Sequence, residues 1–289
     1  MGVNQLIPRT ASPASAGGFP QLGDDNKTIE TMNDTVEIPR AAQPATVPGL
    51  LLHCGGAAVT REELLAVPTP RSTGTWFPLP HHDLVEEVEA HLAGSGYEVE
   101  AATHALSHGG DRYFGLLQVR PPLLKPTDYV WVVGLRNSHD KSYPAGLVAG
   151  TRVLVCDNLA FTGEVQLSRK HTRHAVRDLR HLTARAVGKL GDRFRLLDRR
   201  FAAYRDEPMA DWAAHDIVVR ASDCRAITPS QIPHVLREWR RPRHPEFEPR
   251  TAWSLFNAFT EVHKRGGPNS AIGRGEALHG LFDAAVGLC

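Results

Sequence analysis

The apolar and polar positions of this chain change period several times, and each change marks an element. From residue 83, Leu84, Val85, Val88 and Leu92 form one stripe of helical period, with Asp83 placed to cap it, Glu86 three residues on, and Gly94 and Gly96 closing it. The period then drops to two. Tyr97, Val99, Ala101 and Thr103 share one face and Glu98, Glu100 and His104 the other, which predicts a half-buried strand over 97–105. Ser107-His-Gly-Gly-Asp111 is turn chemistry, and Arg112 to Arg120 returns as the second strand of a hairpin. Tyr129-Val-Trp-Val-Val133 reads as a third strand, apolar enough to lose alternation, and Arg152-Val-Leu-Val-Cys156 as a fourth. From Lys170 to Arg205 the helical period returns through Val176, Leu179, Leu182, Val187, Leu190, Phe194, Leu197 and Phe201, with Gly188 and Gly191 as weak points.

The flanks carry weaker patterns. Residues 1–49 have no sustained period and are rich in Ala, Pro, Gly, Ser and Thr, the composition of a disordered tail. Residues 50–80 form a Pro-rich lead-in, with one short helix where Thr60 and Glu63 have capping-box spacing. After the core of 81–205, residues 206–289 read as a helical part of the same domain. Met209, Trp212, Ala213 and Ile217 share one side of a helix from Pro208 to about Arg220. Thr228-Pro-Ser-Gln231 resembles a capping box, with Pro233 set to bend the helix that follows. Arg237 to Arg250 is a Pro- and Arg-rich connector, and Thr251 to Lys264 an amphipathic helix through Trp253, Phe256, Phe259 and Val262. Gly266-Gly-Pro-Asn-Ser270 breaks it, and a last helix covers Glu276 to Ala285. The expected fold is α+β: an antiparallel sheet of about four strands in two hairpins, packed on a long basic helix.

Composition changes the picture in one respect. The 33 Lys and Arg residues nearly cancel the 32 Asp and Glu, so a basic surface has to be local. It is found in the 170–205 segment, where Arg173, Arg177, Arg180, Arg185, Lys189, Arg193, Arg195, Arg199, Arg200 and Arg205 face only Asp178, Asp192 and Asp198. That pattern suits nucleic acid, although a solvated helix face or a docking site for an acidic protein presents the same charges. Cys54, Cys156, Cys224 and Cys289 form no C-x-x-C pair, which speaks against a zinc ribbon and a disulfide scaffold and for a reducing cytoplasm. No apolar stretch approaches the roughly 20 residues that span a bilayer, so a membrane is not an expected partner.

Chemistry-bearing residues concentrate between Gly134 and Thr172. The cations Arg136, Lys141, Arg169, Lys170, Arg173 and Arg177 are the candidate phosphate contacts, with Tyr143 or Phe161 available for stacking. Asn137, Ser138, His139, Asp140, Asp157, Asn158, His171 and Thr172 have the side chains that organise loops through backbone hydrogen bonds. His139, Asp140, Asp157 and Glu164 also admit a metal-dependent, nuclease-like reading, but no recognised nuclease spacing is present, and His171-x-x-His174 is not a zinc-protease motif. Ser138-His139-Asp140 has the letters of a hydrolase triad without the sequence separation that triads use. Cys156 reads as a buried inert thiol, and Gly146, Gly150 and Gly163 as turn formers.

Arg136-Asn-Ser-His-Asp-Lys141, Val155-Cys-Asp-Asn-Leu-Ala-Phe-Thr-Gly-Glu164 and Arg169-Lys-His-Thr172 resemble the motifs of a bacterial, phage and plasmid family catalogued as domain of unknown function 932. The likeness reaches from the helix at Asp83 to Trp253-Ser-Leu-Phe-Asn-Ala-Phe-Thr260 and implies frequent occurrence on mobile elements. The order helix, hairpin, hairpin, long helix is also similar to the core of the single-strand annealing recombination proteins, a likeness of topology alone. The resulting expectation is a non-enzymatic protein that binds single-stranded DNA, in annealing or recombination, without cofactor or metal and as a homo-oligomer. A metal-dependent enzyme and a module that binds a host protein are the alternatives.

Overall fold

The computed structural model describes residues 56–122, 128–154, 159–264 and 268–288. The tail expected over 1–49 lies outside them, as do Cys156, Asp157 and Asn158. In chain order the elements are β1 (Ala57–Val59), α1 (Arg61–Leu65), α2 (His81–Gly94), β2 (Glu98–Ser107), β3 (Arg112–Arg120), β4 (Tyr129–Ser138), β5 (Ala145–Val153) and β6 (Leu159–Arg169). Then come α3 (Ala175–Gly188), α4 (Leu190–Asp206), α5 (Asp211–Asp223), α6 (Ile232–Arg240), α7 (Ala252–His263) and α8 (Pro268–Ala285). The fold is α+β, and its sheet is an antiparallel meander in the order β1-β2-β3-β4-β5-β6.

Alternation along the strands sorts two faces. Tyr129, Trp131, Val133 and Leu135 of β4, with Ala145, Leu147 and Ala149 of β5, belong to one core with Leu84, Val88 and Leu92 of α2 and Phe194 and Phe201 of α4. The Trp131 and Phe194 rings lie 4.7 Å apart and those of Tyr129 and Phe201 5.1 Å, the edge and tilted contacts that aromatic cores favour. The intervening positions Phe114, Leu116, Val132, Val148 and Phe161 form a smaller cluster on the other face, joined by Tyr143.

Six strands stand where about four were expected. β4 continues to Ser138 and β5 begins at Ala145, which leaves only the turn 139–144 between them. Gly134 and Gly150 are strand residues whose role is close approach. A Cβ would meet the Phe161 ring at 3.0 Å from Gly134 and at 2.6 Å from Gly150, so both are bare because Phe161 lies across them. Gly163 likewise falls inside β6, an element hidden by its turn-like letters.

Other expectations shift for local reasons. Pro80, not Asp83, stands at the α2 N-cap, while Asp83 pairs with His82 in the first turn. A register shift between Val99 and Ala101 of β2 carries His104 from the polar to the buried side, where its Nδ1 meets the Tyr113 hydroxyl at 2.9 Å. The long basic helix is two helices that meet at Lys189, next to Gly188. Ala175 replaces Val176 in its core, Val176 being 56% exposed. Trp212 is 78% exposed, and Ala214, Ile217, Val218 and Ala221 hold α5 instead. Residues 237–240 continue α6 rather than starting a connector, with Pro233 accommodated in its first turn. The capping boxes at Thr60 and Thr228 are both formed.

Candidate functional site

Two of the three sequence motifs, 136–141 and 169–172, lie at the end of the sheet where β4 stops, β5 starts and β6 leaves for α3. Its centre is the backbone of Leu79, in the segment that leads into α2. The Leu79 N–H donates to His171 Nδ1 at 3.1 Å, and its carbonyl accepts from His139 Nε2 at 2.9 Å and from Asn137 Nδ2 at 2.8 Å. Phe77 N–H donates to the His171 carbonyl at 2.9 Å, so the segment is fastened at two points. Asn137 Nδ2 also reaches His81 Nδ1 at 3.0 Å, while His81 Nε2 donates to the Gly110 carbonyl at 2.9 Å. The His81 and His139 rings stack 3.8 Å apart and 7° from parallel.

These partners fix the tautomers. His81 and His139 carry their proton on Nε2, where each meets a carbonyl, and His171 carries its proton on Nε2 because Nδ1 accepts from Leu79. All three rings are buried. Burial, with the neighbouring histidines adding to it, pushes His81 down to about 3 and His171 down to about 4, and burial lowers His139 as well. The cluster is therefore neutral at pH 7. His171 cannot offer Nε2 to a metal while Nδ1 holds the Leu79 N–H. Among the described residues no three His, Cys, Asp or Glu side chains come together as a metal would need. The flanks of Asp157, Leu154 and Leu159, belong to the Tyr129 end of the sheet, and His139 to the opposite end.

The turn after β4 is organised by its own polar side chains. Ser138 Oγ donates to the Tyr143 carbonyl at 2.7 Å and accepts from the Tyr143 N–H at 3.1 Å. Asp140 accepts from Arg112 Nε at 2.6 Å and from Ser142 N–H at 3.0 Å. Partial burial works to raise the Asp140 carboxyl, but the Ser142 and Arg112 hydrogen bonds outweigh it and pull the group down to about 2. Lys141 takes φ +66°, in the left-handed region, and its ammonium stands 5.0 Å from the centre of the Trp76 ring.

The six candidate cations divide. Arg136 lies on the other face of the sheet, its guanidinium 5.6 Å from the Tyr143 ring centre, and burial lowers its pKa. Arg169 faces α3 and bonds Thr172 Oγ1 at 3.0 Å and Asp178 at 2.8 Å. Arg177 shares Asp178 at 3.0 Å. Lys170 and Arg173 are exposed between β6 and α3, and Arg180, Arg185 and Lys189 carry the exposed side onward along α3. Asp178 is the one carboxylate in α3, and it is already paired. Among the described residues Lys170, Arg173, Arg180, Arg185 and Lys189 have no carboxylate partner.

Two members of this site, Trp76 and His81, were not singled out from the sequence. Trp76 sits in the lead-in with its ring 6.3 Å from His171, and His81 opens α2. A tryptophan and a histidine among the prolines of 76–81 were the available signal.

No curated protein and no solved structure matches this chain. One family model does, over residues 72–280, a span that holds every described element from α2 to α7 and nearly all of the site above. The chain therefore belongs to the family described as Domain of unknown function (DUF932).

Proposed function

We propose that the protein binds single-stranded DNA, as annealing or recombination requires, along the exposed side of α3 and the polar sheet end that precedes it. One observation carries this reading: Lys170, Arg173, Arg180, Arg185 and Lys189 are exposed cations without carboxylate partners in a chain whose overall charge is nearly balanced. A solvated helix face is normally laced with opposite charges at i to i+4 spacing, and here only Asp178 is available. At 1.5 Å per residue α3 and its flanks from Arg173 to Lys189 span about 24 Å, enough to follow several phosphates of a strand.

The triple variant Arg173→Ala/Arg180→Ala/Arg185→Ala tests it in a gel-shift assay with a single-stranded oligonucleotide. All three side chains are exposed, so the variant should unfold at the native temperature yet bind at least tenfold more weakly. Native affinity in the variant would refute the assignment of this face.

A further inference from the structure

The sheet end contains polar atoms that the fold leaves unused. Trp76 Nε1, Arg169 Nε and His171 Nε2 are shielded from solvent and have no hydrogen-bond partner. For His171 the tautomer is fixed, so the unused group is an N–H donor, as it is for Trp76 and Arg169. A buried donor without an acceptor is destabilising, and such donors on residues this near in the chain and fold ask for an explanation beyond packing. Trp76 and His171 are neighbours, their rings 6.3 Å apart, the Lys141 ammonium lies 5.0 Å from the Trp76 ring, and Arg169 precedes His171 by two residues in the chain. Of the carboxylates at this end, Asp140 and Asp178 are taken by Arg112 and by Arg169 with Arg177, while Asp111 lies on the His139 side. Unused acceptors are also present, Asn137 Oδ1 and His139 Nδ1, on the side of the cluster that holds His81. Lys141 meanwhile holds a backbone conformation that glycine would hold without strain.

We propose that Trp76, Lys141, Arg169 and His171 form a pocket for a phosphate group, in which the three N–H donors bind its oxygens and Lys141 offsets its charge. This rests on the single-strand reading, since a phosphodiester of the bound strand is one source of the group; a free phosphate is the other. The Trp76 indole is partly exposed and Lys141 is exposed, and parting of their contact opens the way to the donors. The strained Lys141 thus keeps a cation at the mouth of the pocket where a glycine would be more stable.

Two variants isolate the claim. Trp76→Phe removes one N–H and keeps an aromatic ring, and Lys141→Gly removes the cation and relieves the backbone. Thermal unfolding is followed with inorganic phosphate against chloride at equal ionic strength, and anisotropy with an oligothymidylate at low salt. The native chain should gain more from phosphate than from chloride, and both variants should lose that difference. Each variant should bind the oligonucleotide about tenfold more weakly, the worth of one charge-assisted hydrogen bond, while Lys141→Gly unfolds no earlier than the native chain. Variants that keep both the phosphate response and the affinity overturn the pocket, and if the native chain still binds DNA the strand reading survives alone. A phosphate response lost in the variants, with no oligonucleotide binding by any form, keeps the pocket for free phosphate and removes the strand reading.

Discussion

At the scale of single residues, Asn137 shows how a polar side chain can hold a fold together. Its amide donates to the Leu79 carbonyl and to His81 and is fully buried. Asn137→Ala would strip both partners of a donor, and the expected loss is about 2–4 kcal/mol in urea unfolding, whereas a loss under about 0.5 kcal/mol would mean the network is incidental. Glycines give a paired prediction. A Cβ at Gly150 meets the Phe161 ring at 2.6 Å, while one at Gly188 meets nothing within 4 Å. Gly150→Ala should therefore destabilise by several kcal/mol, while Gly188→Ala should gain about 0.5–1 kcal/mol from helix propensity; equal effects on unfolding would contradict the packing described. Asn137, Ser138, His139, Asp140 and His171 are legible in the sequence because polar side chains stand out beside apolar strands. Their partners are not, since Leu79 is 58 residues from Asn137 and 92 from His171 and no local period reports such a separation.

At the scale of elements, periodicity located α2, the β2–β3 hairpin and α7 well because each follows one rule over its whole length. It failed where two demands met in one stretch. Gly150 of β5 serves ring packing and so reads as a turn, and the one-residue shift in β2 moved His104 across the sheet. By period Trp212 shares one side of its helix with Met209, Ala213 and Ile217, but α5 turns the side of Ala214, Ile217, Val218 and Ala221 inward and leaves Trp212 exposed. Trp212→Ala should accordingly change stability by less than about 0.5 kcal/mol, and a loss of 3 kcal/mol or more, the size seen for a core aromatic, would show that the residue is buried in solution. The break at Lys189 matters for function as well. It makes α3 a separate basic unit, whereas Arg195, Arg200 and Arg205 of α4 are engaged by Asp192, Asp283 and Asp128.

At the scale of the whole molecule, buried neutral histidines link the fold to pH. Burial holds His81 and His279 at about 3 and His171 and His263 at about 4, against about 6.5 in the unfolded chain. With folded values depressed, the unfolded chain binds more protons, so the full contribution is present above pH 6.5 and is lost as pH falls from 6.5 towards 4 and then 3. The melting temperature should hold steady from pH 8 to 7 and fall progressively below 6.5, and a flat profile down to pH 4.5 would contradict neutral burial. No helix among the described residues is long and apolar enough to cross a membrane. The central claim, that the unpaired cations beside the polar sheet end bind a single strand, is tested most directly by anisotropy of a labelled single-stranded oligonucleotide between 50 and 200 mM salt. Five phosphate contacts at a logarithmic slope of about −0.7 each predict that affinity falls about 130-fold over that range. Absence of binding at 50 mM, or an affinity indifferent to salt, would contradict the account.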